Sequence, residues 1–277
     1  MGRFSKFSKG WELAKQSLAV VRSDKSLFAL LIVALVTTAF VGLAFVVPMI
    51  VLLDADHSTG AVIVAVIGGY ALSFLSVFFG VALASMAATV MDGGDATLRE
   101  GINKALHRLP QIAAWAVVLV LINVLISLLR SRAGLAGAVV GAFAGAAWGL
   151  VTFLVVPIIA FEGLGPRSAL KRSSSLFRQR WGEQVTGSFS IFLIFFLLAL
   201  PAGLIVVLGV ILVSSSFGLG VVIAGLGVIA LVVVAILGTL ASGVFRVALY
   251  RYANGAEAAG PFTKYELQSA VTHTTRR

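Results

Sequence analysis

Long uncharged, apolar runs alternate with short segments that hold nearly all of the charge. Six runs stand out, at 27–53, 61–90, 111–129, 133–161, 185–213 and 217–245. A hydrocarbon core about 30 Å thick takes roughly 20 residues of helix to cross, so each run predicts one membrane span. None shows the apolar/polar alternation of a membrane β-barrel strand. Several runs exceed the minimum, which predicts tilt or overhang into the headgroups. The last helix is expected to continue past Arg246 to about Tyr252, where Asn254-Gly255 supplies a C-cap signal. The first run is longer than the apolar region of a cleaved signal peptide and is expected to remain as a span.

The polar segments leading into the first, third and fifth spans have a helical period of their own. In the first, Phe4, Phe7, Trp11, Ala14, Leu18 and Val21 form one stripe, flanked by Arg3, Lys6, Lys9 and Lys15. In the second, Asp95 is placed to N-cap a helix whose stripe is Leu98, Ile102, Ala105 and Leu109, and Pro110 opens the next span. In the third, Pro166 starts a helix with Leu170, Ser173, Phe177 and Trp181 on one face and Lys171, Arg172, Arg178 and Arg180 around it. Basic helices with apolar stripes suit a headgroup layer, where cations snorkel and aromatic rings sit at the acyl boundary. Trp11, Lys15, Lys171, Arg172, Phe177, Arg178, Arg180 and Trp181 are therefore candidate contacts to anionic lipid. The same helices would also serve as membrane-parallel braces, or as docking sites for a soluble partner.

Charge decides the orientation. Of the 21 Lys and Arg, nineteen fall in alternate segments: six in 1–26, three in 91–110, five in 162–184 and five from 246 onward. The 130–132 turn holds Arg130 and Arg132, and the connections at 54–60 and 214–216 hold none. The positive-inside rule puts the rich side, and both termini, in the cytoplasm. The prediction is an all-α integral membrane protein of six transmembrane helices, N-in and C-in, with three cytoplasmic amphipathic interfacial helices. Its expected organisation is an amphipathic segment at 1–26, a membrane domain of three helical hairpins at 27–253, and a basic tail at 254–277.

Composition agrees. The 277 residues are 60% hydrophobic and 12% charged, with a mean hydropathy of +1.06. Soluble domains are about 45–50% apolar and about 25% charged, so a water-soluble enzyme is excluded. With no cysteine, disulfides, thiol catalysis and zinc–thiolate sites are excluded too. No Asp, Glu, Lys, Arg or His lies in the middle of a span. That argues against proton relays, charged ion filters and intramembrane hydrolysis. No catalytic, metal or cofactor site is expected, and no nucleic-acid partner.

Within the spans, Asn123 is the strongest polar group, suited to an interhelical hydrogen bond or a substrate contact. Gly137, Gly141, Gly145 and Gly149 recur every four residues in the fourth span, a glycine-zipper pattern. Such a strip lets another helix approach closely, within the bundle or in self-association through this span. Pro48, Pro157 and Pro201 are expected to kink their helices. Glu162 and Arg246 both fall near the same boundary and are candidates for an ion pair. Asp54, Asp56 and His57 read as a solvated turn.

Two stretches carry a resemblance. One runs from Val156-Pro157 through Glu162 and Gly165-Pro166-Arg167-Ser168-Ala169-Leu170-Lys171-Arg172-Ser173 to Trp181-Gly182-Glu183. The other runs from Thr97-Leu98-Arg99-Glu100 through Ala105-Leu106-His107-Arg108-Leu109-Pro110-Gln111. Both are similar to bacterial and archaeal polytopic membrane domains of unknown function, and to the membrane domain attached to some glycerophosphodiester phosphodiesterases. The resemblance implies a prokaryotic plasma-membrane protein. It brings no activity, because the phosphodiesterase's catalytic barrel and its acidic metal ligands are not in this sequence. The expected function is a non-enzymatic scaffold or accessory factor that organises lipids or partner proteins at the cytoplasmic leaflet. The alternative is a passive or partner-driven transporter of an apolar or lipid-like solute.

Overall fold

The computed structural model describes residues 24–55, 57–132, 134–181 and 187–255. Among these it contains nine helices and no strand: α1 (Lys25–Asp54), α2 (Ser58–Met91), α3 (Leu98–Leu106), α4 (Leu109–Arg132), α5 (Gly134–Thr152), α6 (Val155–Glu162), α7 (Pro166–Trp181), α8 (Gly187–Val213) and α9 (Phe217–Ala253). Six spans are long and apolar enough to cross a membrane: α1, α2, α4, α8, α9, and Val140–Glu162, which joins α5 to α6. The last helix does run past Arg246. It ends at Ala253 with Asn254 as cap and Gly255 at φ 94°. At 37 residues it is about 55 Å long, well beyond the hydrocarbon thickness.

The chain divides into two compact units. The first is Asp24–Arg180, and the described part of the second runs from Trp181 to residue 255. In the first unit α2 is the central helix, packed against α1, α3, α4 and α6, while α4 and α5 form a further hairpin. Its core lies at the end of the spans next to the basic segments. Leu27, Leu30, Val81, Met86, Ile112, Leu154, Ile158 and Ile159 are buried there. Toward the opposite end the apolar side chains are bare: Phe40 and Phe143 are each 73% exposed. A surface this apolar is what a bilayer covers.

The fourth span is broken. Expected as one run over 133–161, it splits into α5 and α6 at Phe153-Leu154. Pro157 accounts for this, since it lacks an N–H and its ring displaces the carbonyl four residues back, at Phe153. Val155 begins a new helix that holds Pro157 in its first turn, where the missing donor costs little. Side-chain hydroxyls also donate to carbonyls in the last turns of α5. Ser173, 1% exposed on α7, donates its hydroxyl to the Val151 carbonyl at 2.6 Å, and Thr152 donates to the Trp148 carbonyl at 2.7 Å. Pro48 and Pro201, by contrast, stay inside uninterrupted helices.

In the second unit α8 and α9 form an antiparallel hairpin whose backbones nearly touch. A Cβ built on Gly227 would lie 2.7 Å from the Val206 amide nitrogen and 3.1 Å from the Ala202 carbonyl oxygen. One on Gly209 would lie 2.7 Å from the Cβ of Ala224, and one on Gly220 would lie 2.8 Å from the Gly209 carbonyl oxygen.

Candidate functional site

The charged segments of the first unit are tied down at the basic end of the spans. Asp24 is the N-cap of α1, its carboxylate accepting from the Ser26 amide at 2.7 Å. Its other oxygen accepts from the Ala96 amide at 2.8 Å, across 72 residues of chain. One side chain thus caps the first span and pins the connection that leads into α3. Burial pushes the Asp24 pKa up, but the backbone donors of Ser26 and Ala96 and the Ser26 hydroxyl outweigh it, and the carboxyl titrates below its ordinary value.

Helix α3 is capped by Thr97, whose hydroxyl accepts from the Glu100 amide at 3.3 Å, and not by Asp95. Thr97-x-x-Glu100 has the spacing of a capping box, a pattern that Asp95 lacks. The buried face of α3 is Gly101 and Ala105, with Leu98, Ile102 and Leu109 only half-buried. Small residues set this rotation, because a Cβ on Gly101 would come 2.6 Å from the Met86 sulfur. Arg99 and Lys104 are left exposed.

Helix α7 is rotated in a similar way. Ala169, Ser173 and Leu176 are buried, while Leu170 is half-buried, so the expected stripe keeps Ser173 and gives up Leu170 for its neighbour Ala169. Arg172 turns toward protein, its Nε 3.2 Å from the Glu162 carboxylate, with 38% and 25% of the two side chains exposed. A half-exposed pair of this kind contributes modestly to stability. Lys171, Arg178 and Arg167 are exposed. Arg108 lies against the end of α6: Gly163 closes that helix at φ 65°, and a Cβ there would strike the Arg108 guanidinium. The negative end of the helix dipole favours a cation at that point. Trp11 and Lys15 lie outside the described residues, as do the side chains of Phe177, Arg180 and Trp181.

The expected packing residues differ in exposure along the fourth span. Gly137 and Gly141 are buried and Gly145 is half-buried, but Gly149 is exposed and a Cβ there would meet nothing within 4 Å. The α4–α5 hairpin carries a stacked pair instead, Trp115 and Trp148, with ring centroids 6.0 Å apart. Asn123 is exposed on α4 rather than buried between helices. The close approach of α8 and α9 uses glycines that follow no four-residue repeat. Gly220, Gly227 and Gly238 are spaced by seven and eleven residues, two and three turns of helix, and so share a face. Opposite the basic end, the His57 ring Nδ1 lies 2.7 Å from the Ala55 carbonyl oxygen. Among the described residues no group of three or more His, Cys, Asp or Glu is placed to hold a metal ion.

These features define an all-helical chain with six candidate membrane spans and basic helices packed at one end of them. Residues 59–260 match a family described as a family of unknown function (DUF6159), and the chain belongs to that family. The matched region takes in α3, α6 and α7 and both stretches on which the resemblance rested. No curated protein and no solved structure matches the chain.

Proposed function

We propose that this protein is a non-enzymatic scaffold or accessory protein of the cell membrane, with both termini in the cytoplasm, that gathers anionic lipid at the inner leaflet. The observation that carries this reading is the division of α7. Ala169, Ser173 and Leu176 hold it to the protein, while Lys171 and Arg178 point away from that face and are exposed. Arg99 and Lys104 of α3 are likewise left outside a face fastened through Gly101 and Ala105. The helices brace the spans and present their cations, so two of the three roles foreseen for them are combined.

Lys or Arg beside an anionic surface gains about 1 kcal/mol each, and salt screens the gain. Full-length protein in nanodiscs of mixed anionic and neutral lipid is expected to unfold at higher temperature than in purely neutral lipid, with the difference shrinking at high salt. Replacing Arg99, Lys104, Lys171 and Arg178 with Gln together should remove most of that difference while leaving the melt in neutral lipid unchanged. An anionic-lipid effect of the same size in the fourfold variant would refute lipid gathering by these helices.

Orientation is tested separately. The natural chain has no cysteine, so His57→Cys carries a single thiol. It should react with a membrane-impermeant reagent in intact cells, whereas Lys104→Cys should react only after lysis. The reverse pattern would invert the topology and move the basic helices to the outer leaflet.

A further inference from the structure

Two polar side chains of α4 stand on a face that the helices of the first unit leave uncovered. Asn123 and Ser127 are four residues apart, on one face of the helix, and both are exposed. Neither forms a hydrogen bond with any described residue. Asn123 lies seven residues inside Arg130, roughly 10 Å along the helix axis, within the hydrocarbon. Other hydroxyls of the spans quiet themselves locally: Ser85, Thr89, Thr152 and Thr239 each donate to the carbonyl four residues back. The Asn123 amide, with two N–H donors and an acceptor oxygen, makes no such bond. An amide in hydrocarbon without a partner is strongly disfavoured, so this face calls for a polar group at the same depth.

We propose that the occupant is a second copy of this chain, and that α4 is the interface of a homodimer centred on Asn123. Two copies inserted with the same topology are related by a two-fold axis along the membrane normal. That operation keeps every residue at its own depth, so Asn123 of one copy meets Asn123 of the other without any change of register. The amide is self-complementary, each carboxamide donating to the other's oxygen, and Ser127 extends the polar contact by one turn. A different protein would need a polar group placed independently at that depth. The self-association foreseen along the fourth-span glycines is thereby moved to the third span, and the dimer does not depend on lipid gathering by α3 and α7.

The test uses the full-length chain in proteoliposomes at low protein-to-lipid ratio, exploiting the absence of native cysteine. Ser127→Cys is expected to form a disulfide-linked dimer on oxidation. Leu125→Cys, also exposed but pointing to another side of α4, should yield roughly fivefold less. Adding Asn123→Leu to Ser127→Cys should lower its yield to the Leu125→Cys level, and Asn123→Gln should largely preserve it. If Ser127→Cys cross-links no better than Leu125→Cys, or if Asn123→Leu leaves its yield unchanged, the dimer through this face is refuted. A Ser127→Cys chain found cross-linked to a different protein would also overturn the proposal.

Discussion

Gly227→Leu is expected to unfold the α8–α9 hairpin, whereas Gly225→Leu, two residues away on the same helix, melts like the parent. The contrast comes from what each position faces. A Cβ at 227 would sit 2.7 Å from the Val206 amide nitrogen, on the backbone of the partner helix. No rotamer change relieves a collision with backbone, so the helices must separate along their length. Overpacking a core typically costs about 1–3 kcal/mol, and a clash that displaces a whole helix belongs at the upper end. The α8–α9 contact is the main packing in the second unit, so little remains to offset that cost. At Gly225 a Cβ meets nothing within 4 Å, and a leucine there adds only lipid-facing surface. Gly149→Leu in the fourth span should be equally benign for the same reason. Thermal unfolding of the three variants in one mild detergent decides the matter. Equal melting of Gly227→Leu and Gly225→Leu would mean that the two helices are not packed as closely as the structure places them.

Asp24→Ala is expected to destabilise the first unit by about 2 kcal/mol. Loss of an N-cap costs typically about 1 kcal/mol. Loss of a charge-assisted bond to a second backbone amide adds a comparable amount, discounted because Asp24 is only half-buried. Asp24→Asn keeps an acceptor for one donor and loses the charge, so about half of the effect should remain. The pH dependence has a definite sign. Asp24 titrates lower in the folded protein than in the unfolded chain, where a carboxyl has a pKa of about 3.9. Its contribution is therefore fully present above about pH 4 and is lost as pH falls through the lower, folded value. The stability gap between parent and Asp24→Ala should narrow only in that acid window. A gap that is constant down to the lowest measurable pH, or absent at neutral pH, would show that the carboxylate does not bridge α1 to the α3 connection.

The six spans were legible because burial in hydrocarbon is a property of composition. A run without charge, long enough to cross, becomes a helix wherever it lies, since its backbone has no other way to satisfy its hydrogen bonds. The helix at Pro166 and the cap at Asn254-Gly255 were legible for local reasons, a fixed φ at proline and the left-handed freedom of glycine. The rotation of α3 and α7 was not. The expected stripes held Ala105 and Ser173, which are buried, but they also pointed to Leu98, Ile102 and Leu170, which are only half-buried, and they left out Gly101 and Ala169, which complete the docked faces. In a membrane the large apolar side chain gains nothing by choosing protein over lipid, so small residues that permit close approach select the contact.

The same physics separates the two levels throughout the chain. Span number, span length and the separation of basic from neutral connections follow from residue type alone, because each is a sum over independent positions interacting with solvent or lipid. Which glycines lie against a neighbouring backbone, which proline breaks its helix and which cation finds a carboxylate depend on what stands opposite, and one strand of sequence does not contain the other side of a contact. Pro48, Pro157 and Pro201 read alike, yet only Pro157 sits at a break, where Ser173 of α7 supplies a donor to the Val151 carbonyl. Asn123 reads as an internal hydrogen-bonding group, and the packing of the first unit leaves it exposed on α4. Its polarity was written in the sequence, and its direction was decided by the packing of α4 against α2 and α5.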